Sequence, residues 1–445
     1  MQPQKVASYE TIYLEAESSW DLERLYNAFK HVMPKGSQLT SLQKFYVRGI
    51  LLGKPPREIA QQRGQDFNPN DVSRFLSEKL YRWIKNLIKE RPEGKDAWQQ
   101  VPILLKEYRK QQNWKGVPDC SPFYGRADEL NTLRQWLIEE GCRLVILFGA
   151  GGVGKTWLSS HFVRQMEHQF SGSWQNLDGS PPLNQILNRL QFQVQQTPQR
   201  EQNTEGKGIE EGIDWLVDFL SNQYFLLILD GIQEDLLSDQ EKWGDYIRLL
   251  RRLELTDMKS CVLITSREKL SELRQLGDGK SGKVRSLKVS SLELEAAKKM
   301  LYDFKLKDQD RWKDLISACS GNPLYLRIVA SIISDQFNSK VSRYLKEETI
   351  YLGEFKDILQ DSWKYLKDSE KDTLKVIAES SRPISSEAIR KYIPEHSSSS
   401  VIEIIKDLGN KCLIENVIES DLKLYTIRPD VRKFIIIQND KNIIN

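Results

Sequence analysis

Apolar residues in the first ninety positions recur at intervals of three and four, which is the spacing of helices with one buried face. The longest such segment begins at Asn70-Asp71, two residues suited to cap a helix, and continues to about Lys89. A short helix, a turn and this long helix predict a helix-turn-helix shape. The helices predicted here span 15–32, 41–52, the segment between Pro56 and Gly64, and 70–89.

A different pattern begins at residue 121, where short apolar runs alternate with helical segments. Continuous apolar runs indicate strands buried on both faces, and their alternation with helices predicts a parallel sheet covered on both sides. The predicted strands are 143–148, 173–177, 224–229, 261–265 and 284–289, and the predicted helices are 155–169, 183–195, 209–222, 243–253 and 267–275.

After residue 290 the pattern is mostly helical again. Near the end, three helical segments precede two short apolar runs that predict a two-stranded wing. The segment VRKFIIIQ (431–438) is interpreted as an edge strand. The helices are 368–379, 385–392 and 399–409, and the two runs are 412–415 and 422–426.

Composition narrows the class of protein without indicating a function. The 445 residues carry a net charge of +3, and 39% of them are hydrophobic. No apolar run approaches the roughly 18 residues of a membrane helix, and the start lacks the basic and apolar regions of a secretory signal. The five cysteines and four histidines lack the spacing of a disulfide framework or a zinc site. We therefore expect a cytoplasmic protein without membrane association.

The strand predicted at 143–148 is followed by GAGGVGKT, which has the GxxxxGK[ST] spacing at Gly149, Gly154, Lys155 and Thr156. Glycines allow backbone N–H groups to turn toward phosphates, and the N-terminus of the following helix adds positive potential. Lys155 can reach the β- and γ-phosphates, and the Thr156 hydroxyl can coordinate Mg²⁺. The motif predicts binding of ATP or ADP with Mg²⁺.

Two further predicted strands end in residues suited to the same chemistry. YFLLILDG contains Asp230, whose carboxylate can hold Mg²⁺ through water. The next residue is Gly231, where many P-loop ATPases have an acid that polarises the attacking water, so fast hydrolysis is not expected. CVLITSRE contains Arg267, which can sense a γ-phosphate. Lys155, Asp230 and Arg267 are therefore the predicted catalytic group.

Five segments occur in the order found in the NB-ARC class of STAND signal-transduction ATPases, which this chain resembles. They are FYGRADEL (123–130), GAGGVGKT (149–156), LLILDG (226–231), LITSRE (263–268) and SGNPLYLRIVA (320–330). Residues 362–378 resemble the first helices of the winged-helix domain of that class. The segment 39–64 resembles a small helix-turn-helix domain, named for its association with von Willebrand A and MoxR proteins, that precedes NB-ARC modules in some bacterial proteins.

The resemblance implies an α/β P-loop nucleotide-binding core with a parallel sheet, a helical lid and a winged-helix domain, preceded by an all-α helix-turn-helix domain. The predicted boundaries are 1–92 for the N-terminal domain, 93–120 for a connector, 121–289 for the P-loop domain, 290–350 for the small helical domain, 351–437 for the winged helix and 438–445 for a tail.

The resemblance also implies a switch. In such proteins the winged helix closes an ADP-bound state, and exchange for ATP permits homo-oligomerisation in bacterial signalling or defence. Thr156 and Asp230 would serve Mg²⁺. The implied nucleotide contacts are Phe123, Tyr124, Arg126, Gly149, Gly151, Gly152, Val153, Gly154, Lys155, Thr156, Trp157, Pro323 and Arg428.

Two departures from the family pattern bear on these expectations. The family's winged helix usually carries a Met-His-Asp-like motif whose histidine touches ADP, and here the matching stretch is Ile427-Arg428-Pro429-Asp430. Either Arg428 replaces that histidine or no residue does. Family members also usually continue into sensor repeats. This chain ends at Asn445, so we expect a separate sensor or effector partner.

The segment 39–91 is basic, with eleven basic and five acidic residues and thus a charge of +6 (11 minus 5). A basic helix-turn-helix can contact DNA phosphates, and the alternative is a solvated face of a protein-interaction domain. Two other functions therefore stay open: a DNA-acting AAA-like ATPase and an ATP-gated transcription regulator. The candidate contacts are Ser73, Arg74, Lys79, Arg82 and Lys85, while the aromatic residues Phe75, Tyr81 and Trp83 are expected to pack inward.

Overall fold

The computed structural model divides into two compact units, one of residues 1–113 with 167–171 and one of 114–166 with 172–445. No helix among the residues that it describes is long and apolar enough to cross a membrane. The described residues are 12–13, 16, 20–34, 36–62, 68–94, 96–108, 114, 116–167, 170–195, 208–270, 283–347, 351–419 and 421–444.

The first unit is helical and packs around an aromatic core. Among the described residues, a helix begins at Leu22, where the carboxylate of Asp21 caps it by accepting a hydrogen bond from the N–H of Arg24 at 3.0 Å. Most of the earlier part of the helix predicted at 15–32 lies outside the described residues. The helices are α1 (Leu22–Val32), α2 (Ser41–Leu51), α3 (Pro56–Gln61), α4 (Pro69–Phe75), α5 (Tyr81–Ile88) and α6 (Val101–Leu104), and a π-helical turn over Leu76–Leu80 joins α4 to α5.

The α4–α5 segment separates apolar from basic side chains. Phe75, Tyr81 and Trp83 are buried, as expected, and Phe75 meets Trp83 edge-on at 5.7 Å between ring centroids. The opposite face is exposed and carries several basic side chains. Its exposed residues include Ser73, Arg74, Lys79, Arg82 and Lys85.

The second unit contains a five-stranded sheet of order β2-β3-β4-β1-β5, in which β3, β4, β1 and β5 pair in parallel. The central strands are buried on both faces, since helices cover both sides, and this explains their continuous apolar sequences. The elements are α7 (Ala127–Arg134), β1 (Leu144–Phe148), α8 (Lys155–Met166), β2 (Ser171–Asn176), α9 (Leu183–Gln195), α10 (Ile209–Asn222), β3 (Phe225–Ile232), α11 (Glu234–Ser238), α12 (Gln240–Leu255), β4 (Cys261–Ser266) and β5 (Val284–Lys288).

The rest of the second unit is a helical lid followed by a C-terminal module, and a single hydrophobic cluster from Leu292 to Ile435 runs through both. After its first helix, the module has the element order of a winged helix, which is helix, strand, helix, helix, strand, strand. The lid comprises α13 (Leu294–Asp303), α14 (Trp312–Ala318), α15 (Pro323–Gln336) and α16 (Val341–Lys346). The module comprises α17 (Phe355–Lys364), α18 (Asp368–Glu379), β6 (Ile384–Ser385), α19 (Ser386–Tyr392), α20 (Ser398–Asn410), β7 (Ile414–Glu419), β8 (Leu422–Ile427) and α21 (Pro429–Ile444).

The structure corrects two predictions in this module, and one helix predicted in the core cannot be compared. The wing has a third strand, β6, whose two residues are too few to form a recognisable alternation. The interpretation of VRKFIIIQ as an edge strand is wrong, because this segment lies in α21, which begins at Pro429 and buries Val431, Phe434 and Ile435 on one helical face. Most of the helix predicted at 267–275 lies outside the described residues.

Candidate nucleotide-binding site

The loop between β1 and α8 requires glycine at several positions. Gly152 and Gly154 have φ angles of 75° and 98°, which residues other than glycine rarely adopt. A Cβ atom at Gly149 would lie 2.5 Å from the carbonyl oxygen of Val289. The loop is therefore shaped by its glycines into a concave turn at the N-terminus of α8, which is the geometry that binds phosphate.

Lys155, the first residue of α8, directs its ammonium group back into this loop. It donates hydrogen bonds to the carbonyl oxygens of Gly149 at 2.8 Å and Ala150 at 3.0 Å. Burial lowers its pKa to about 8, and the positive charge of Arg267 acts in the same direction. A bound phosphate would place a negative charge beside this ammonium group and so favour its charged form.

Asp230 and Thr156 meet at the end of β3. The Thr156 hydroxyl donates to Oδ1 of Asp230 at 2.9 Å, and the Thr265 hydroxyl donates to the same oxygen at 2.6 Å. Burial raises the pKa of Asp230, while these two hydrogen bonds lower it. A carboxylate beside a threonine hydroxyl is a set of hard oxygen ligands, so these two residues fit Mg²⁺.

Arg267 follows β4 and pairs with an acid at the start of α11, the short helix after β3. Its guanidinium lies 3.4 Å from Oε2 of Glu234, and both side chains are mostly buried. The other oxygen of Glu234 accepts a hydrogen bond from the hydroxyl of Ser362, on α17, at 2.7 Å. Glu234 therefore connects the predicted phosphate sensor to the C-terminal module.

These groups line a single cavity of about 730 Å³, a size usual for a small-molecule site. One wall comes from the segment before α7, where the Tyr124 hydroxyl donates to Asp303 of the lid at 2.7 Å. The predicted residues that line the cavity are Phe123, Tyr124, Arg126, Gly151, Gly152, Val153, Gly154, Lys155, Thr156, Trp157, Asp230, Arg267 and Pro323.

Arg126 also supports the phosphate loop. Its guanidinium donates to the carbonyl oxygen of Val153 at 2.9 Å and to Glu129 at 2.7 Å. Its backbone adopts a left-handed conformation with a φ angle of 70°. Arg126 therefore joins the segment before α7 to the phosphate loop.

Two predicted contacts are placed differently. Gly149 does not line the cavity and instead packs its backbone against Val289. Arg428 is not among the lining residues either, and its buried guanidinium pairs with Asp430 at 3.1 Å. Asp430 in turn accepts a hydrogen bond from Ser320 at 2.6 Å, which fixes the pair between the lid and α21.

Sequence analysis missed several lining or supporting residues. Asn322 donates from its side-chain amide to the carbonyl oxygen of Gly151 at 2.9 Å, and its carbonyl caps α15. Its place in the GNPL segment was a signal for this role. Arg327, which is part of the segment 320–330, lies over the Trp157 ring at 5.3 Å. Asp178 lines the cavity beside Gly231 and belongs to none of the five segments.

The C-terminal module packs directly on the phosphate loop. A methyl group added to Gly151 would overlap the side chain of Ile358 on α17. Cys412 joins a small buried cluster with Phe148 and Ala150. Together with the bond between Ser362 and Glu234, these contacts close the phosphate side of the cavity.

Comparisons with known proteins agree with this geometry. Residues 126–310 match the NB-ARC domain family. An uncharacterized WD repeat-containing protein of Nostoc sp. (strain PCC 7120) is 30% identical over 328 residues, which are 68% of this chain and 25% of that protein. The disease resistance-like protein DSC1 of Arabidopsis thaliana is 23% identical over 323 residues, which are 69% of this chain and 25% of that protein. The chain thus spans about a quarter of the length of these curated relatives.

A solved structure supports the fold. The Walker-type ATPase of Pyrococcus abyssi superposes with a TM-score of 0.53 at 16% identity, and the match covers 72% of this chain and 98% of that one. At this identity the likeness concerns the fold alone. This fold agrees with the parallel sheet and the phosphate loop at the end of β1, and it includes residues 126–310, which match the NB-ARC domain family.

Proposed function

We propose that this chain is a nucleotide-operated switch. It holds ADP while the C-terminal module covers the phosphate loop, and it exchanges ADP for ATP on a signal. The ATP-bound form then assembles into a homo-oligomer in bacterial signalling or defence. The observation that carries this proposal is the contact between the C-terminal module and the loop, in which Ile358 lies against Gly151.

The lining of the cavity supplies the chemistry for nucleotide binding. The glycine loop and Lys155 bind the phosphates, and Thr156 with Asp230 serves Mg²⁺. Phe123 and Tyr124 lie on the adenine side of the cavity in this assignment. When bound, Mg²⁺ neutralises phosphate charge and orients the γ-phosphate.

The contacts of Arg267 support an ADP-type closed arrangement. Its guanidinium is paired with Glu234, which is itself bound to Ser362 of the C-terminal module. A γ-phosphate would compete with Glu234 for Arg267. In this proposal, ATP favours release of the contact with Ser362, and thereby an open arrangement.

The test is nucleotide binding and mass in the full chain. We expect binding of ADP and of a non-hydrolysable ATP analogue with Mg²⁺, and a larger assembly with the analogue than with ADP. Lys155→Ala should abolish binding of both nucleotides, while Lys313→Ala, which alters an exposed lysine outside the cavity lining, should bind like wild type. Protein that binds neither nucleotide would refute the proposal, and an unchanged mass would refute its assembly step.

The basic face of α4–α5 favours DNA association as a second candidate function. Arg74 and Arg82 are exposed on this face, where guanidinium groups can contact phosphates. We expect duplex DNA binding that weakens with salt and is lost in the Arg74→Ala/Arg82→Ala double variant. Salt-independent binding, or binding that the double variant retains, would remove this candidate.

A further inference from the structure

Gly231 has no side chain, and the space beside it is occupied by Asp178, a residue just after β2. Gly231 has a φ angle of 100°, and a Cβ atom there would lie 3.1 Å from Oδ1 of Asp178. Asp178 follows β2, where the N–H of Leu177 donates to the carbonyl oxygen of Asp230 at 2.8 Å. The pairing of the two chain segments thus brings the carboxylate of Asp178 to the position next to Asp230.

Neutral amides hold this carboxylate in place. Gln233 donates from its side chain to Oδ1 of Asp178 at 2.8 Å, and Asn176 donates to Oδ2 at 3.0 Å. The N–H of Asp178 donates in return to the side-chain oxygen of Asn176 at 2.8 Å. These three residues line the same cavity as Lys155. No lysine or arginine among the described residues forms an ion pair with Asp178, whose carboxylate accepts its hydrogen bonds from the two neutral amides.

The other acids at this end of the sheet are already engaged. Oδ1 of Asp230 accepts hydrogen bonds from Thr156 and Thr265, the arrangement suited to Mg²⁺. Glu234 is occupied by Arg267 and Ser362. Asp178 differs from both in that it lines the cavity as an exposed carboxylate and, within the described part of the chain, is neither paired with a cation nor bonded to a residue assigned to Mg²⁺. It can therefore contact a water molecule there.

We propose that Asp178 is the general base for ATP hydrolysis in this domain. It would replace the acid that many P-loop ATPases have at the position of Gly231. Asp178 accepts a proton from water while the water oxygen bonds to the γ-phosphorus. The bond from that phosphorus to the β,γ-bridging oxygen breaks, which leaves ADP and inorganic phosphate, and the proton then passes to solvent. This inference rests on the proposed nucleotide site, and it makes hydrolysis a built-in step of the switch.

The main test is Asp178→Asn in the full chain, which keeps the shape of the side chain and removes its basicity. We expect kcat for ATP hydrolysis to fall about 100-fold or more, with little change in the affinities for ADP and a non-hydrolysable ATP analogue. Calorimetry supplies a readout that does not depend on turnover: ADP with aluminium fluoride should bind more weakly to the variant, while ADP alone should bind equally. Asp218→Asn, a charge change on α10 outside the cavity lining, serves as the control.

A second variant addresses the placement of the carboxylate. Gln233→Ala removes one of its two amide donors, so we expect a smaller loss of kcat at unchanged ADP affinity. An unchanged kcat in Asp178→Asn would overturn the inference, and so would wild-type protein that binds ATP without hydrolysing it. Both results leave nucleotide binding intact, whereas protein without any nucleotide affinity would overturn the proposed function as well.

Discussion

The bond between Ser362 and Glu234 offers the sharpest test of the closed arrangement. Ser362→Ala removes a hydrogen bond to a carboxylate whose side chain is 14% exposed. Hydrogen bonds to charged groups contribute about 1.5–3 kcal/mol, and we take about 1.5 kcal/mol because Glu234 retains its pair with Arg267. If only the closed arrangement contains this bond, its loss shifts the balance between closed and open forms about tenfold toward the open one.

Two measurements report this shift. We expect a fluorescent ADP analogue to dissociate from Ser362→Ala up to about tenfold faster, because the covered phosphate loop opens more often. The fraction of assembled protein at a given ATP concentration should rise in parallel. Ser398→Ala, at an exposed position in the first turn of α20, is the matched control. Wild-type values for both measurements in Ser362→Ala would show that this bond does not hold the closed form.

Three other substitutions test the site and its supports. Arg267→Ala should leave ADP affinity near that of wild type and weaken ATP binding, and equal losses for both nucleotides in calorimetry would contradict its assignment to the γ-phosphate. Lys411→Ala removes the partner of the buried carboxylate of Glu370, at 2.7 Å, and should cost about 3–5 kcal/mol in denaturant unfolding, against little change for the exposed Lys406→Ala. Phe355→Ala deletes a fully buried ring that stacks on Tyr325 at 4.8 Å and should cost about 3–5 kcal/mol, so a loss below about 1 kcal/mol would be inconsistent with this packing.

Much of the nucleotide-binding core could be predicted because its determinants are local. Strands buried on both faces have continuous apolar sequences, and α10 is predicted at 209–222, the range that it occupies. The phosphate loop was predicted because glycines and a lysine at fixed spacing create the site within eight residues. Each of these signals is contained in a short window of sequence.

The rest depends on contacts between distant segments, which a single sequence does not reveal. Glu234 and Ser362 are 128 residues apart, and Gln233 and Asp178 are 55 apart. The motif left open whether Arg428 contacts phosphate, and the structure pairs its guanidinium with Asp430, two residues later, and does not include it in the cavity lining. The β-branched residues of 431–438 favour a strand, but burial of one helical face determines their structure.

Asp178 and Glu234 act on different states in this scheme, and a double variant can separate their effects. Asp178 would end the ATP state by hydrolysis, whereas Glu234, through Ser362, would prolong the ADP state. Asp178→Asn should therefore lengthen the lifetime of the assembled form in ATP, and Ser362→Ala should increase the rate at which it forms. Because the two changes act on different states, their effects on the assembled fraction should add as free energies in the double variant. A double variant no more assembled than either single one would mean that both residues act on the same step, and the assignment of hydrolysis to Asp178 would then lose its support.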